Sequence, residues 1–307
     1  MKDLMMHYGV TLGIRYTKKQ KDFFVNQLKE ELNKNRIEYQ IKTKKVLGKS
    51  INNILIGNMR DAETVLVCAY DTPRHSWNPK TKYYPFNEKK NTKQITIDLI
   101  LKTCLVILLL LLSYLLYLFV LEEYFSSSIS IVILLSCVIM SFVLVKDKAN
   151  KVNFNLNSAS LALIMSMIEY IKHNNIAIAF VDEGTESIDG FKFLKETINE
   201  AKKIIILDCL ASGEQLVCAH RKGVDCSTLL NGDLDFIDKV YSDDTNNRLG
   251  LFKNSILLCS GEIVDKQFIS INTKSKKDIN VDMERLSRIR TELIKFVGGK
   301  NETIISK

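Results

Sequence analysis

Two long apolar runs in the middle of the chain constrain its structure more than any other feature of the sequence. The runs Thr103–Leu121 and Ser127–Val145 each contain 19 residues and no charged side chain. About 20 apolar residues in a helix cross the hydrocarbon core of a bilayer. The link between them, residues 122–126, is too short for a domain, and backbone groups in lipid require helical pairing. The runs are therefore predicted to form a transmembrane hairpin; the alternative is a buried helical pair in a soluble core.

Charges on either side of the apolar block predict its orientation. Lysines flank both outer ends, whereas the link carries Glu122 and Glu123 and no Lys or Arg. The positive-inside rule places lysine-rich flanks in the cytoplasm. We expect a protein of the cell membrane that is embedded in the lipid bilayer by two spans, with the termini and the soluble domain cytoplasmic. The net charge of +8 is assigned to this membrane surface and not to nucleic acid, because no Arg-rich or Gly-aromatic signature is present.

Outside the hairpin, short apolar runs alternate with amphipathic segments. Apolar residues at helical spacing predict helices over 18–35, 158–173, 190–202 and 282–297. The first of these is expected to present Phe23, Phe24, Leu28 and Leu32 on one face. Strands are expected over 37–43, 51–56, 64–70, 176–181, 203–207, 215–219, 255–260 and 267–272. This alternation predicts an α/β layered domain with a mostly parallel central sheet.

The apolar block divides the chain into four parts. Residues 1–73 and 146–307 are predicted to be two halves of one domain, with 74–102 as a juxtamembrane linker and 103–145 as the inserted hairpin. The segment 77–86, WNPKTKYYPF, mixes aromatic residues with lysines. We expect it either to lie at the level of the lipid headgroups or to be an ordinary linker.

Five short segments of the soluble part occur in a distinctive order. They are 52–71, ending at Asp71, then 155–160, 176–191, 204–209 and 270–278. In this order they resemble the co-catalytic zinc aminopeptidases, peptidase family M twenty-eight, of the bacterial leucyl aminopeptidase and aminopeptidase S type. The resemblance implies a three-layer, phosphorylase/hydrolase-like aminopeptidase domain with the hairpin inserted in it. The family's cofactor is zinc.

The resemblance also implies which positions correspond to the family's site. The family's metal ligands fall on Ala69, Leu156, the pair Gly184 and Thr185, Asp208 and Asn272. Only Asp208 keeps a ligand side chain, and neither Ala nor Leu can bind zinc. Asp71 keeps the acid beside the first ligand, and Glu183 would restore a base if the register slipped. We therefore expect Asp71 and Glu183 to be vestigial catalytic residues and expect no bound metal or other cofactor.

Ordinary structural roles compete with these assignments. Asp71 and Asp208 stand at predicted strand ends, where aspartates cap turns. His75 follows Asp71 by four residues and is either a replacement ligand or a solvated side chain. One further group combines Cys and His, but its spacing fits no usual zinc pattern; its members are Cys209, Cys218, His220 and Cys226. The seven cysteines are interpreted as reduced thiols, mostly buried in a cytosolic domain.

The position of the hairpin suggests a function. In the family, the loop between the first two motifs lies at the mouth of the cleft; here that loop is 72–151 and contains the hairpin. Ligands of open α/β sheets bind at the carboxyl ends of the strands. We expect a membrane-anchored pseudoenzyme that binds a peptide or a membrane-protein partner through the former cleft. The alternatives are an active membrane-bound metallo-aminopeptidase with divergent ligands and a structural subunit of a membrane complex.

Overall fold

Nine strands in the described part of the chain form one mixed sheet. The computed structural model describes residues 1–46, 48–76, 78, 81–121, 127–198, 202–241, 247–270 and 273–298. The strands are β1 (Tyr39–Val46), β2 (Lys49–Ile56), β3 (Thr64–Ala69), β4 (Ile176–Val181), β5 (Lys203–Asp208), β6 (Gln215–Arg221), β7 (Phe236–Tyr241), β8 (Ser255–Val264) and β9 (Gln267–Ile269). Their order is β1-β2-β4-β3-β5-β8-β6-β7, and β9 pairs with β8.

The prediction of a mostly parallel sheet is wrong. Only the central strands β4, β3, β5 and β8 run parallel, together with the outer pair β6 and β7. The pairs β1-β2, β2-β4, β6-β8 and β8-β9 are antiparallel. The central strands β3 and β4 are continuous apolar runs that are buried throughout, as parallel strands covered on both faces require.

Helices cover both faces of this sheet. They are α1 (Lys2–Met6), α2 (Lys18–Lys34), α3 (Glu88–Leu121), α4 (Ser127–Val145), α5 (Ala159–Met165), α6 (Ile168–Lys172), α7 (Asp189–Thr197), α8 (Ser227–Leu230) and α9 (Met283–Gly298). Alternate residues of β3 point to opposite sides. Leu66 packs in a core with α2, α5 and α9, whereas Val65 packs in a second core with Phe191 of α7. The domain is thus three-layered.

Several predicted elements differ from the observed ones. The helix expected over 158–173 is a π-helical turn, Phe154–Ser158, followed by α5 and α6. Phe23 is 53% exposed, because it lies off the buried stripe of α2 to which Phe24, Leu28 and Leu32 belong. Strand β7 was not expected from the sequence, since it is a mostly exposed edge strand without an apolar run. Residues 271–272 of the last predicted strand lie outside the described residues.

The apolar block forms two helices that pack against each other. The segment Glu88–Leu118 of α3 is long and apolar enough to cross a membrane, while the described apolar part of α4, Ile131–Val145, is shorter. Helix α3 begins inside the segment that the sequence assigned to a linker. At the base of the pair, Lys102 Nζ binds Asp147 Oδ1 at 2.6 Å and the Val145 carbonyl at 2.9 Å. The predicted link, 122–126, lies outside the described residues.

Candidate functional site

The carboxyl ends of β3, β4 and β5 meet at one edge of the sheet, and a carboxylate follows each strand there. Asp71 comes two residues after β3, Asp182 comes directly after β4, and Asp208 ends β5. All three are buried. Burying a charge is costly unless partners compensate it. The groups that contact these carboxylates therefore determine which chemistry is available at this edge of the sheet.

Asp71 is held by the turn that follows β4. Its Oδ1 accepts a hydrogen bond from the Gly184 N–H at 2.8 Å, and its Oδ2 accepts one from the Thr185 hydroxyl at 2.6 Å. Burial raises the pKa of Asp71 to about 6, although the nearby Lys21 ammonium opposes this rise. These contacts match the turn-capping role.

Glu183 is engaged by lysines. Lys21 Nζ lies 2.6 Å from Glu183 Oε1 and 2.6 Å from Asp182 Oδ1, and Lys49 Nζ lies 3.6 Å from Glu183 Oε2. Burial opposes ionisation of Glu183, but the two ammonium groups outweigh it and hold its pKa below the usual value. A general base works best with a pKa near the working pH. Glu183 is therefore poorly suited to that role.

Asp208 is bound by an arginine and a tyrosine. Arg248 Nη1 donates to Asp208 Oδ2 at 3.0 Å, and the Tyr83 hydroxyl donates to the same oxygen. Arg248 is 2% exposed, and its Nε also donates to Glu88 Oε1 at 3.1 Å. The guanidinium thus supplies Asp208 with the positive charge that a metal ion would bring.

An apolar cluster lies beside this ion pair. It consists of Tyr83, Leu156 and Cys209, all inaccessible to solvent. The Cys209 thiol donates to the Leu156 carbonyl at 3.7 Å, and burial raises the pKa of this thiol well above its ordinary value. Leu156, which the resemblance matched to a bridging carboxylate, therefore packs against Tyr83 and Cys209 in a buried apolar cluster.

Ala69 and Gly184, which the resemblance matched to the first histidine and to the glutamate pair, face each other with no room between them for a further side chain. A Cβ atom added at Gly184 would lie 2.8 Å from Ala69 Cβ and 3.0 Å from Phe191 Cε2. Contacts below 3 Å between carbon atoms are strongly repulsive, so residue 184 has to stay a glycine unless its neighbours move. This corner is closed by the Ala69 methyl group and the Phe191 ring.

The residues at these positions do not fit a two-zinc site. Ala69, Leu156 and Gly184 offer no side-chain donor atom, and Asp208 is already paired with a cation. Among the described residues, no group of three or more His, Cys, Asp or Glu side chains could hold a metal ion. Zinc sites in proteins need three or four such ligands. Asn272, which the resemblance matched to the final histidine, lies outside the described residues.

Two buried side chains position the backbone around the cluster. The Arg15 guanidinium donates to the carbonyls of Tyr8, Leu12 and Tyr70, to Asn157 Oδ1 at 2.9 Å and to Ser158 Oγ at 3.1 Å. Asp278 accepts hydrogen bonds from the backbone N–H groups of Asn155 at 2.9 Å and Leu156 at 3.2 Å. Burial raises the pKa of Asp278 to about 8, which these two N–H groups only partly oppose.

A cavity of about 580 Å³ lies between the edge of the sheet and the base of the helix pair. It is lined on one side by Lys21, Asp71 and Glu183, and on the other by Arg74 and Asp147. Arg74 links the two sides, because its Nε lies 3.1 Å from Glu186 Oε1 and its Nη1 lies 3.8 Å from Asp147 Oδ2. The cavity is thus polar and adjoins the start of the apolar helices.

Comparison with solved structures shows the aminopeptidase-like fold. A zinc-dependent exopeptidase from Parabacteroides distasonis matches with a TM-score of 0.59 at 11% identity, covering 96% of this chain and 95% of that one. A glutaminyl cyclase from Tannerella forsythia matches with a TM-score of 0.54 at 12% identity, covering 98% and 97%. The LapA aminopeptidase from Legionella pneumophila matches with a TM-score of 0.53 at 9% identity, covering 99% and 70%. Neither a model of a protein family nor a curated protein sequence matches the chain.

The residues that fill the site were not predicted from the sequence. Tyr83 belongs to the segment assigned to headgroups or to a linker, yet it is fully buried beside Asp208; Trp77 of that segment lies outside the described residues. Arg248 stands in no motif. Three members of the Cys/His group lie together, because the Cys218 and Cys226 thiols share a hydrogen bond and His220 lies near Cys226. His220 Nε2 binds Asp238 Oδ1 at 2.9 Å, and Cys209 lies apart, in the cluster with Tyr83 and Leu156. The backbone N–H of His75 binds the Lys148 carbonyl at 2.7 Å.

Proposed function

We propose that this chain is a membrane-anchored protein of aminopeptidase-like fold that has no zinc chemistry and binds a peptide or a membrane-protein partner through the former cleft. The observation that carries this proposal is the Arg248–Asp208 ion pair under Tyr83. A buried carboxylate needs one compensating charge, and Arg248 provides it from the chain itself. A metal ion at the same carboxylate would be repelled by the fixed guanidinium.

Metal content tests this proposal most directly. The full-length protein, purified in detergent and incubated with excess zinc before desalting, is expected to retain far less than one zinc ion per chain by plasma mass spectrometry. The exopeptidase from Parabacteroides distasonis, treated in parallel, is the control for metal loading. Two zinc ions per chain would contradict the proposal and favour an active metallo-aminopeptidase.

The membrane part of the proposal places two spans in the bilayer, with both flanks in the cytoplasm. Its support is the length and composition of α3, the packing of α4 against it, and the lysines outside both ends. Lys102 and Asp147 form an ion pair where the two helices meet the domain. Such a pair is compatible with the polar boundary of a membrane, whereas most of the side chains beyond it on α3 are apolar.

Thiol labelling in intact cells tests this topology. A membrane-impermeant maleimide is expected to label Glu122→Cys from outside the cell. Lys148→Cys, a matched substitution of a charged residue next to the other end of α4, is expected to label only in inverted vesicles. Labelling of both positions from the same side would show that α4 does not cross the membrane.

A further inference from the structure

The segment that opens into α3 lies across the former cleft as a bound peptide would. Tyr83 pairs with Ser270 in an isolated antiparallel bridge, in which the Ser270 N–H donates to the Tyr83 carbonyl at 2.9 Å. The segment is also held from its own helix, because the amide group of Asn91 in α3 binds both the N–H and the carbonyl of Tyr84, each at 2.9 Å. Addition of a strand-like peptide to a sheet edge is a common mode of peptide recognition.

Three side chains of this segment occupy separate positions in the cleft. Tyr83 fills the apolar cluster and donates to Asp208. The Phe86 ring lies 5.4 Å from the rings of both Tyr241 and Phe268. Lys239 Nζ lies 4.8 Å from the centre of the Phe86 ring, and Glu88 Oε1 lies 3.1 Å from Arg248 Nε. The segment thus has three anchors. They are the aromatic residue Tyr83, a second aromatic residue, Phe86, three positions later, and the acidic residue Glu88, five positions after Tyr83.

Two basic side chains of the cleft, Arg248 and Lys274, also have hydrogen-bond donors that this segment does not use. Arg248 Nη2 is buried and has no hydrogen-bond partner among the residues that the structure describes. Lys274 is 6% exposed and stands 5.2 Å over the Tyr83 ring, and in the described part of the chain no carboxylate lies within ion-pair distance of it. Its φ of 63° is unusual for a residue other than glycine. An unsatisfied donor atom on the paired Arg248 guanidinium and an ammonium group without an ion-pair partner among the described residues, both beside the segment, favour an acidic ligand.

We propose that the former cleft is a peptide-binding site, that residues 83–88 occupy it as an intramolecular ligand, and that an external acidic peptide with the same aromatic anchors replaces them. This inference rests on the proposed function, because a zinc-free cleft holds such a peptide without cleaving it. The occupying segment leads directly into α3, so covalent linkage gives it a high effective concentration. An external ligand therefore has to bind more tightly, through the unused Arg248 and Lys274 donors, or be presented near the membrane.

The reactivity of the Cys209 thiol reports whether the segment leaves the cleft. Cys209 packs under Tyr83, whereas Cys68 and Cys259 are equally buried but lie in the strands of the core. In the full-length protein with Tyr83→Ala and Glu88→Gln, maleimide labelling of Cys209 is expected to be at least tenfold faster than in the wild type. Labelling of Cys68 and Cys259, followed by mass spectrometry of peptides, is expected to stay unchanged. The matched control is Tyr39→Ala with Glu38→Gln, at the far edge of the sheet.

A synthetic peptide with the sequence of residues 81–88, TKYYPFNE, tests replacement in trans. It is expected to bind the Tyr83→Ala, Glu88→Gln protein and to slow Cys209 labelling back toward the wild-type rate. The same peptide with alanine in place of its first tyrosine is expected to have no effect. If the double variant does not fold, Phe86→Ala provides a milder removal of one anchor with the same readout.

The outcomes separate this inference from the function on which it rests. Equal acceleration at Cys209, Cys68 and Cys259 would mean that residues 83–88 are part of the core, and it would overturn the inference. Unchanged Cys209 labelling, or labelling that the peptide does not slow, would overturn it as well. Zinc measured in the same samples contradicts the proposed function, whereas zinc-free protein with an unresponsive Cys209 contradicts the peptide site alone.

Discussion

Replacing Arg15 by methionine is expected to lower the free energy of unfolding by about 4 kcal/mol, which is at the upper end for a single substitution. Arg15 is fully buried, and its guanidinium donates to five oxygen atoms on three separate parts of the chain. Methionine fills much of the same volume but leaves those oxygens without donors. Each buried acceptor without a partner costs about 1–3 kcal/mol before relaxation or water entry reduces the total.

Urea denaturation of the full-length protein in a mild detergent, followed by near-ultraviolet circular dichroism, measures this effect. Arg60→Met is the matched control, because Arg60 is an exposed residue of the turn before β3. The control is expected to change stability by no more than about 0.5 kcal/mol. A similarly small loss for Arg15→Met would mean that the guanidinium is not needed to join the amino-terminal turn, Tyr70 and the turn before α5.

The stability of the domain is expected to increase as the pH falls from about 8 to about 5, and Asp278→Asn is expected to remove most of that increase. Burial raises the pKa of Asp278 from an ordinary 3.8 to about 8 in the folded protein. A folded-state pKa above the unfolded value means that the folded protein holds the proton more tightly. The stabilisation that comes from this tighter binding of the Asp278 proton is therefore complete below about pH 4 and is lost as the pH rises through 8.

The size of this effect follows from the width of the pH window. Each pKa unit corresponds to about 1.4 kcal/mol, so the wild type is expected to gain about 3–4 kcal/mol relative to Asp278→Asn between pH 8 and pH 5. Asp71, whose pKa burial raises to about 6, changes stability with the same sign at lower pH and is present in both proteins. Asp235→Asn, an exposed aspartate near β7, is the control. Parallel profiles for wild type and Asp278→Asn would contradict the assignment.

The candidate site was predictable in part. Asp71 and Asp208 were expected at the strand ends where they lie, because an apolar run that ends in an acid identifies the edge of a buried strand. The sequence pattern could not predict their partners. Tyr83 is 125 residues from Asp208, and Arg248 is 40 residues from it. Contacts over such separations depend on how the elements are arranged in space, which no local pattern encodes.

The segment 83–88 is a second case in which a local sequence pattern did not predict the tertiary contacts. It overlaps the segment 77–86, whose aromatic residues and lysines predicted a position at the lipid headgroups or an ordinary linker. Composition is the only local signal that such a short irregular segment provides. In the structure Phe86 packs on Tyr241 and Phe268, and Glu88 reaches Arg248. The same residue types suit a membrane surface and an aromatic cleft, so only the neighbours decide between them.

The sequence by itself determined the elements whose signal is local. The apolar blocks of α3 and α4 and the buried strands β3, β4 and β5 depend on periodicity or on continuous apolar runs, whereas the aminopeptidase-like fold was expected only from the resemblance of five segments. The tertiary structure alone decided the mixed direction of the outer strands, the closure of the Ala69–Gly184 corner and the filling of the cleft by Tyr83 and Arg248. The physical reason is that burial patterns specify which face of an element is covered, whereas the partner that covers it is chosen by packing and charge compensation across the whole chain.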